Sequence, residues 1–200
     1  GIDTTFSGGA RFAESLDQQQ ATVQAVKSIV AERGVRVVVL PENAGGLWTP
    51  TVEHLWKSAL RGTGSAVVLG ASIVRPAGYD NVLVEINPEA SHVAYVERMP
   101  VPVSMWQPWQ ALAGGSPGVE ARFFDNPVVM IAGRRVAPLI CYEQLLVWPI
   151  LQSMALAPDL IVAGGNGWWA KETTIVAIQI AATKSWAALF GLPLVSAVNR

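Results

Sequence analysis

Two short apolar runs that end in chemically active residues constrain this chain more than anything else in it. Val35 to Leu40 runs into Pro41-Glu42-Asn43, and Val136 to Cys141 runs into Tyr142-Glu143. Both runs are too short for a core helix and are closed by a proline or a polar pair, so each reads as a buried strand. Ligands in open α/β sheets collect outside the carboxyl ends of strands. Two such ends would bring Glu42 and Cys141 together as a base and a nucleophile.

Around these runs, strands alternate with helices at both ends of the chain and hairpins fill the middle. Apolar residues at helical spacing (Leu16, Val23, Val26, Ile29, Val30) predict a helix over Ser15 to Arg33, after a loop rich in glycine and serine and stopped by Gly34. A short helix is expected around Val52 to Leu60, then strands at Ala66 to Val74, Asn81 to Ile86 and His92 to Val96. Gly78-Tyr79-Asp80-Asn81 and Asn87-Pro88-Glu89 are read as hairpin turns. Gln107 to Pro127 has no sustained period, and a loop that long inside a compact domain usually carries function. Strands near Val128 to Ile131, Arg135 to Cys141, Asp159 to Ala163 and Leu194 to Val198 are separated by helices from Trp148 and from Ile175. The pattern is α/β, a mixed sheet with helices packed on it.

Composition narrows the function. With 14 basic and 15 acidic residues and a net charge of -1, the chain has no basic excess to meet a nucleic acid. A single cysteine excludes an internal disulfide and a multi-cysteine zinc site, and His54 and His92 are too far apart for a local metal motif. Ile175 to Val198 is the most membrane-like stretch, but Gln179, Thr183, Lys184 and Ser185 interrupt it and Gly191-Leu192-Pro193 breaks it, so it reads as a buried helix and a strand. Trp106, Trp109, Trp168 and Trp169 fall in loop sequence, where they would wall a pocket or face a lipid surface.

Each candidate has a plainer reading. A lone cysteine on an apolar strand is often core filling, and an acid after a strand-ending proline is often a solvated turn. Gly164-Gly165-Asn166-Gly167 lacks the spacing of a phosphate cradle. A cysteine-histidine hydrolase using His54 or His92 would need a histidine at a strand tip, and neither sits at one.

Taken in order, Val39-Leu40-Pro41-Glu42-Asn43, Pro100-Val101-Pro102, Leu139-Ile140-Cys141-Tyr142-Glu143, Asn166-Gly167-Trp168-Trp169 and Gly191 to Arg200 resemble the nitrilase, or carbon-nitrogen hydrolase, superfamily over nearly the whole chain. The likeness is strongest to the branch that holds apolipoprotein N-acyltransferases and TraB-type conjugal-transfer proteins. The resemblance implies an αββα sandwich and a Glu-Lys-Cys triad, with Glu42 as base, Cys141 as nucleophile, and substrate contacts from Tyr142, Glu143, Asn166 and Trp168. On an extended backbone Glu143 would share the face of Cys141.

The chain departs from the family's Lys-x-His-Leu-Val-Pro-Phe-Gly-Glu element. Anchored on Val101-Pro102, Glu97 falls where the lysine belongs and Met105 where the second glutamate belongs. Arg98 would serve as the oxyanion donor only if the strand were bulged, since a one-residue shift turns a side chain to the other face. An inward Glu97 would instead raise the thiol pKa and favour a noncatalytic scaffold.

The superfamily pattern continues past Arg200, so a fragment of a longer chain is expected, its sandwich truncated at the C-terminus with a sheet edge open to self-association. The resemblance implies no metal or organic cofactor. It implies an amide or lipid-like acyl donor as substrate, membrane proximity through segments outside these residues, and the periplasmic face of the inner membrane if the full chain carries membrane helices.

Overall fold

A computed structural model describes residues 1–5, 12–76, 78–170 and 173–200. The glycine- and serine-rich lead-in expected before the first helix lies largely outside the described residues.

Nine strands, among the described residues, form two sheets. The first has β1 (Val37–Val39), β2 (Ala66–Arg75), β3 (Gly78–Ile86) and β4 (Ser91–Val96) in that order, with β5 (Gly118–Val119) alongside β3. The second runs β6 (Val129–Ile131), β7 (Arg134–Ile140), β8 (Leu160–Asn166) and β9 (Leu194–Asn199). β1 pairs β2 in parallel, as β7 does β8 and β8 does β9, while β2–β3, β3–β4 and β6–β7 are antiparallel.

Period-two alternation sorts each strand between two cores. From the first sheet, Leu40, Val67, Leu69, Val82, Val84 and Ile86 point outward to α1 (Phe12–Arg33) and α2 (Pro50–Leu60), around the fully buried Trp56. Val39, Val68, Leu83 and Tyr95 point the other way and meet Val136, Ile140, Val162 and Ala197 of the second sheet. Leu139 and Ile161 face outward again, onto α4 (Val147–Met154) and α5 (Ile175–Phe190). The layers are therefore α-β-β-α. Because both faces of both sheets are covered, the strands read as continuous apolar runs.

Local signals set the ends of the elements. Thr49 caps α2, its hydroxyl accepting from the Val52 N–H at 3.3 Å, with Pro50 in the first turn. Gly191, at φ 64°, closes α5 in the left-handed conformation that glycine adopts without strain. The long segment expected to be loop carries a short helix, α3 (Pro108–Leu112), and β5. None of the described helices is long and apolar enough to cross a membrane.

The first hairpin turns earlier than the sequence suggests. Tyr79, Asp80 and Asn81 lie in β3, paired with Val74, Ile73 and Ser72. Asp80 and Asn81 favour turns when they have no partner. Here Arg75 Nε donates to Asp80 at 2.8 Å and Asn81 bonds two buried acids, so tertiary partners override the local preference.

Candidate active site

β7 ends in a sharp corner. Cys141 has φ 47°, a left-handed conformation costly for a residue with a side chain, and residues Cys141–Leu145 form a 3₁₀ turn. Such strain costs about 1–3 kcal/mol and gathers where a side chain must be aimed. The corner leaves Cys141 5% exposed, in the core between the sheets.

Glu42 reaches the same place from the first sheet. Leu40 N–H donates to Val68 O at 2.8 Å, and Gly70 N–H donates to Pro41 O at 3.1 Å, so the segment after β1 is strapped along β2. The strap is close: a Cβ on Gly70 would lie 2.5 Å from Glu42 Cα and 2.7 Å from Asn43 N. Gly70→Ala is accordingly expected to destabilise the fold by about 1–3 kcal/mol through overpacking, read as a lower urea midpoint, and to displace Glu42 from the thiol.

Glu42 Oε1 accepts from Asn81 Nδ2 at 2.8 Å and Oε2 closes no well-formed hydrogen bond, while the carboxyl lies beside the Cys141 thiol and the Asn166 backbone N–H. Burial pushes the Glu42 carboxyl up to about 7, against the opposing pull of Asn81, Cys141 and the Asn166 amide. A carboxyl that titrates near neutrality beside a thiol is suited to taking and returning a proton. Burial also raises the Cys141 thiol well above its ordinary value, and the charges of Glu42 and Glu97 add to it. Gln179 Nε2, on the inner side of α5, points at the sulfur from 3.8 Å.

Glu97 faces inward. The same Asn81 Nδ2 that serves Glu42 donates to Glu97 Oε2 at 3.1 Å, and the Glu97 N–H donates to Asn81 O at 2.8 Å. Glu97 is fully buried, its other carboxylate oxygen has no hydrogen-bond partner, and burial with the charges of Glu143 and Glu42 drives its pKa well up.

Arg98, expected as oxyanion donor, is not brought to the thiol. Its Nε donates to the Tyr95 hydroxyl at 2.9 Å, Nη1 to Gln152 Oε1 at 3.2 Å, and Nη2 to Ser153 Oγ at 3.3 Å. The β3–β4 register does shift between Leu83 and Val84, so the strand is bulged, but Glu97 rather than Arg98 keeps the inward face. Consecutive residues of extended chain point oppositely.

Glu143 also differs from expectation, because a 3₁₀ turn replaces the extended backbone that would have set it beside Cys141. Its carboxylate is fully buried and accepts from Tyr95 Oη at 2.7 Å, Ile140 N at 2.8 Å, Arg98 N at 2.9 Å and Met99 N at 3.2 Å. It ties the chain after β4 to the Cys141 corner rather than facing a substrate.

The remaining candidates stand at the rim. Asn166, half-buried at the end of β8, accepts through Oδ1 from Asn199 Nδ2 at 2.8 Å and turns its backbone N–H toward Glu42. Tyr142 is half-buried beside the nucleophile, and Trp168 is 38% exposed just past β8. Trp106 lines a cavity of 540 Å³ together with Tyr79, Arg75 and Arg122. His54 lies 3.4 Å from Ser58 on α2, and His92 of β4 lies 3.7 Å from Glu85 of β3, so both are engaged away from the thiol. Asn81 and Gln179 were missed by sequence reasoning. Gln179 and Thr183 left a trace as polar residues four apart in an apolar helix, which is the face turned inward.

The carbon-nitrogen hydrolase family profile matches residues 49–188. The chain is 54% identical over 185 residues to the conjugal transfer protein TraB of Agrobacterium fabrum strain C58, covering 92% of this chain and 44% of that protein. It is 53% identical over 199 residues to a probable conjugal transfer protein TraB of Sinorhizobium fredii strain NGR234, covering 100% of this chain and 51% of that one. The chain thus spans about half the length of the relatives it matches. Among solved structures, a carbon-nitrogen hydrolase from Helicobacter pylori G27 superposes with TM-score 0.68 at 11% identity, covering 98% of this chain and 72% of its own. A mutant amidase from Nesterenkonia sp. AN1 in complex with acrylamide gives 0.66 at 15%, covering 99% and 74%. At these identities the two structures speak to fold alone.

Proposed function

Since this chain belongs to the carbon-nitrogen hydrolase family, we propose that it is the cysteine-dependent acyl-transfer domain of a conjugal-transfer protein, with Cys141 as nucleophile and Glu42 as base. The observation that carries this reading is the meeting of a strained Cys141 corner with a carboxyl held near neutral pKa. The thiol proton passes to Glu42 as the sulfur attacks an amide or acyl carbonyl carbon. The carbon–nitrogen bond breaks, Glu42 returns the proton to the departing amine, and a thioester remains for water or a second amine to collect. The Tyr142 backbone N–H, next in chain to the nucleophile, and Gln179 Nε2, 3.8 Å from the sulfur, would serve as donors to the forming oxyanion. The exposed Trp109 and Trp169 support a lipid-like acyl donor.

One observation favours a second reading, a noncatalytic scaffold in the conjugation apparatus: Glu97 stands inward where the resemblance expects a lysine, and its charge opposes the thiolate.

Iodoacetamide separates the two, because Cys141 is the single cysteine. The labelling rate is expected to climb through pH about 7 as Glu42 ionises and accepts the thiol proton. Glu42→Gln should lose that step and rise only under alkaline conditions, where the thiol ionises unaided. Profiles that coincide for the two proteins would overturn the catalytic reading in favour of the scaffold.

A further inference from the structure

Three buried carboxyls, Glu42, Glu97 and Glu143, influence one another, and one buried cation, Arg98, accompanies them. That cation is committed to the far side, 3.9 Å from Glu143 and bonded to Tyr95, Gln152 and Ser153. On the near side a single amide proton donor, Asn81 Nδ2, serves both Glu42 and Glu97. This leaves Glu42 Oε2 and Glu97 Oε1 buried and without a hydrogen-bond partner, and no cation among the described residues pairs with either acid. A fold rarely leaves two acceptors of one cluster unmet. Glu42 lies against the Cys141 thiol and Asn81 bonds both acids, so the pair adjoins the sulfur.

Tyr79 stands near both acids and beside a cavity. It is half-buried on β3, it feels the charges of Glu97 and Glu42, and it lines the 540 Å³ cavity with Trp106. The cations of that cavity, Arg75 and Arg122, are held by Asp80 at 2.8 and 3.4 Å and Arg122 also by Glu120 at 3.0 Å, so two acids offset their charge there.

We propose that Glu42 and Glu97, held side by side by Asn81 next to Cys141, form a binding site for the primary ammonium group of an amine ligand. A compact ammonium brings several donors to two unmet acceptors, and the near absence of exposure at either acid suits a slender alkylamine rather than a broad cation. The role of that amine in the reaction rests on Cys141 and Glu42 being the reacting pair. Within that reading the amine is the acyl acceptor. Glu97 takes one ammonium proton and the freed nitrogen attacks the thioester carbon; Glu42, ionised since it gave its proton to the first amine, takes a second proton from that nitrogen as the carbon–nitrogen bond forms and the carbon–sulfur bond breaks, and passes it to the thiolate.

Charged thiol reagents test the site without a substrate. The folded protein is treated with 2-aminoethyl, methyl and 2-sulfonatoethyl methanethiosulfonate, and each rate is divided by that of free cysteine. Ratios between reagents on one protein cancel the thiolate fraction. At alkaline pH, where Glu42 is ionised, the cationic reagent is expected to exceed the neutral one by roughly tenfold or more, with the anionic one slowest, as a negative charge beside the thiol requires. Glu97→Gln should bring the three toward equality, and butylammonium should slow labelling of the wild type but not of the variant. Equal normalised rates, a preference for the anion, or a thiol that labels only after unfolding in urea would each overturn the proposal. If the cation preference holds while the iodoacetamide profile ignores Glu42, the catalytic reading fails and the ammonium site stands. The converse result leaves an acyl-transfer centre with no ammonium site.

Discussion

Glu97→Lys is expected to speed iodoacetamide labelling of Cys141 at pH 7 by roughly tenfold or more, one pKa unit being a tenfold change in thiolate. Burial is the first cause of the raised thiol pKa, and the substitution leaves burial in place. What changes is the charge: an acid that disfavours the thiolate is exchanged for a base that favours it. The same lysine would draw Glu42 below its value of about 7, so the base would be ionised at neutral pH. Glu97→Gln supplies the intermediate case, removing the negative charge without adding a positive one, and should fall between the other two. An unchanged rate in a Glu97→Lys protein that keeps its circular dichroism spectrum would show that Glu97 and the thiol are not coupled. The substitution should also abolish the preference for cationic thiol reagents, because the pair would then carry its own ammonium.

Arg98→Ala is expected to cost about 3–5 kcal/mol of stability, the penalty of leaving one member of a buried ion pair without the other. Arg98 and Glu143 are both fully buried and share the Tyr95 hydroxyl, which accepts from the guanidinium and donates to the carboxylate. Without the guanidinium, Glu143 must either keep an unmatched charge or take up a proton, and Gln152 and Ser153 each lose a partner. Urea unfolding followed by tryptophan fluorescence measures the loss. A change below about 1 kcal/mol would place Arg98 among surface-like pairs and contradict its structural role. Arg98→Lys tests the geometry: a point charge cannot reach Tyr95, Gln152 and Ser153 together, so only partial recovery is expected.

The strands other than β5 were legible because each carries its own evidence, while the two-sheet layering came from the family resemblance. Val67, Leu69 and Ala71 alternate with Val68 and Gly70, and such alternation with both sets apolar means cover on both faces. Helices α1, α2, α4 and α5 were placed to within a few residues by helical spacing and by Gly34 and Gly191, whereas α3 fell in a segment expected to be loop. The first hairpin was misplaced because Asp80 and Asn81 were judged by local preference, while their partners, Arg75 and Arg122 for one and Glu42 and Glu97 for the other, lie on other segments. That error also hid Asn81, the residue that aligns the two acids.

By itself the sequence determined that an acid and the only cysteine stand at the ends of two buried strands, for apolar length and a polar stop are local properties. Tertiary structure decided the rest of the site. Whether Glu97 or Arg98 faces the thiol depends on strand register, and register reverses every side chain when it moves by one residue. Whether Glu143 meets a substrate or the backbone of Ile140 and Arg98 depends on a 3₁₀ corner at Cys141, which ends the two-residue period on which the extended reading relied. The pairing of Glu42 with Glu97 depends on an amide contributed by a third strand, a contact that no spacing along one segment can encode.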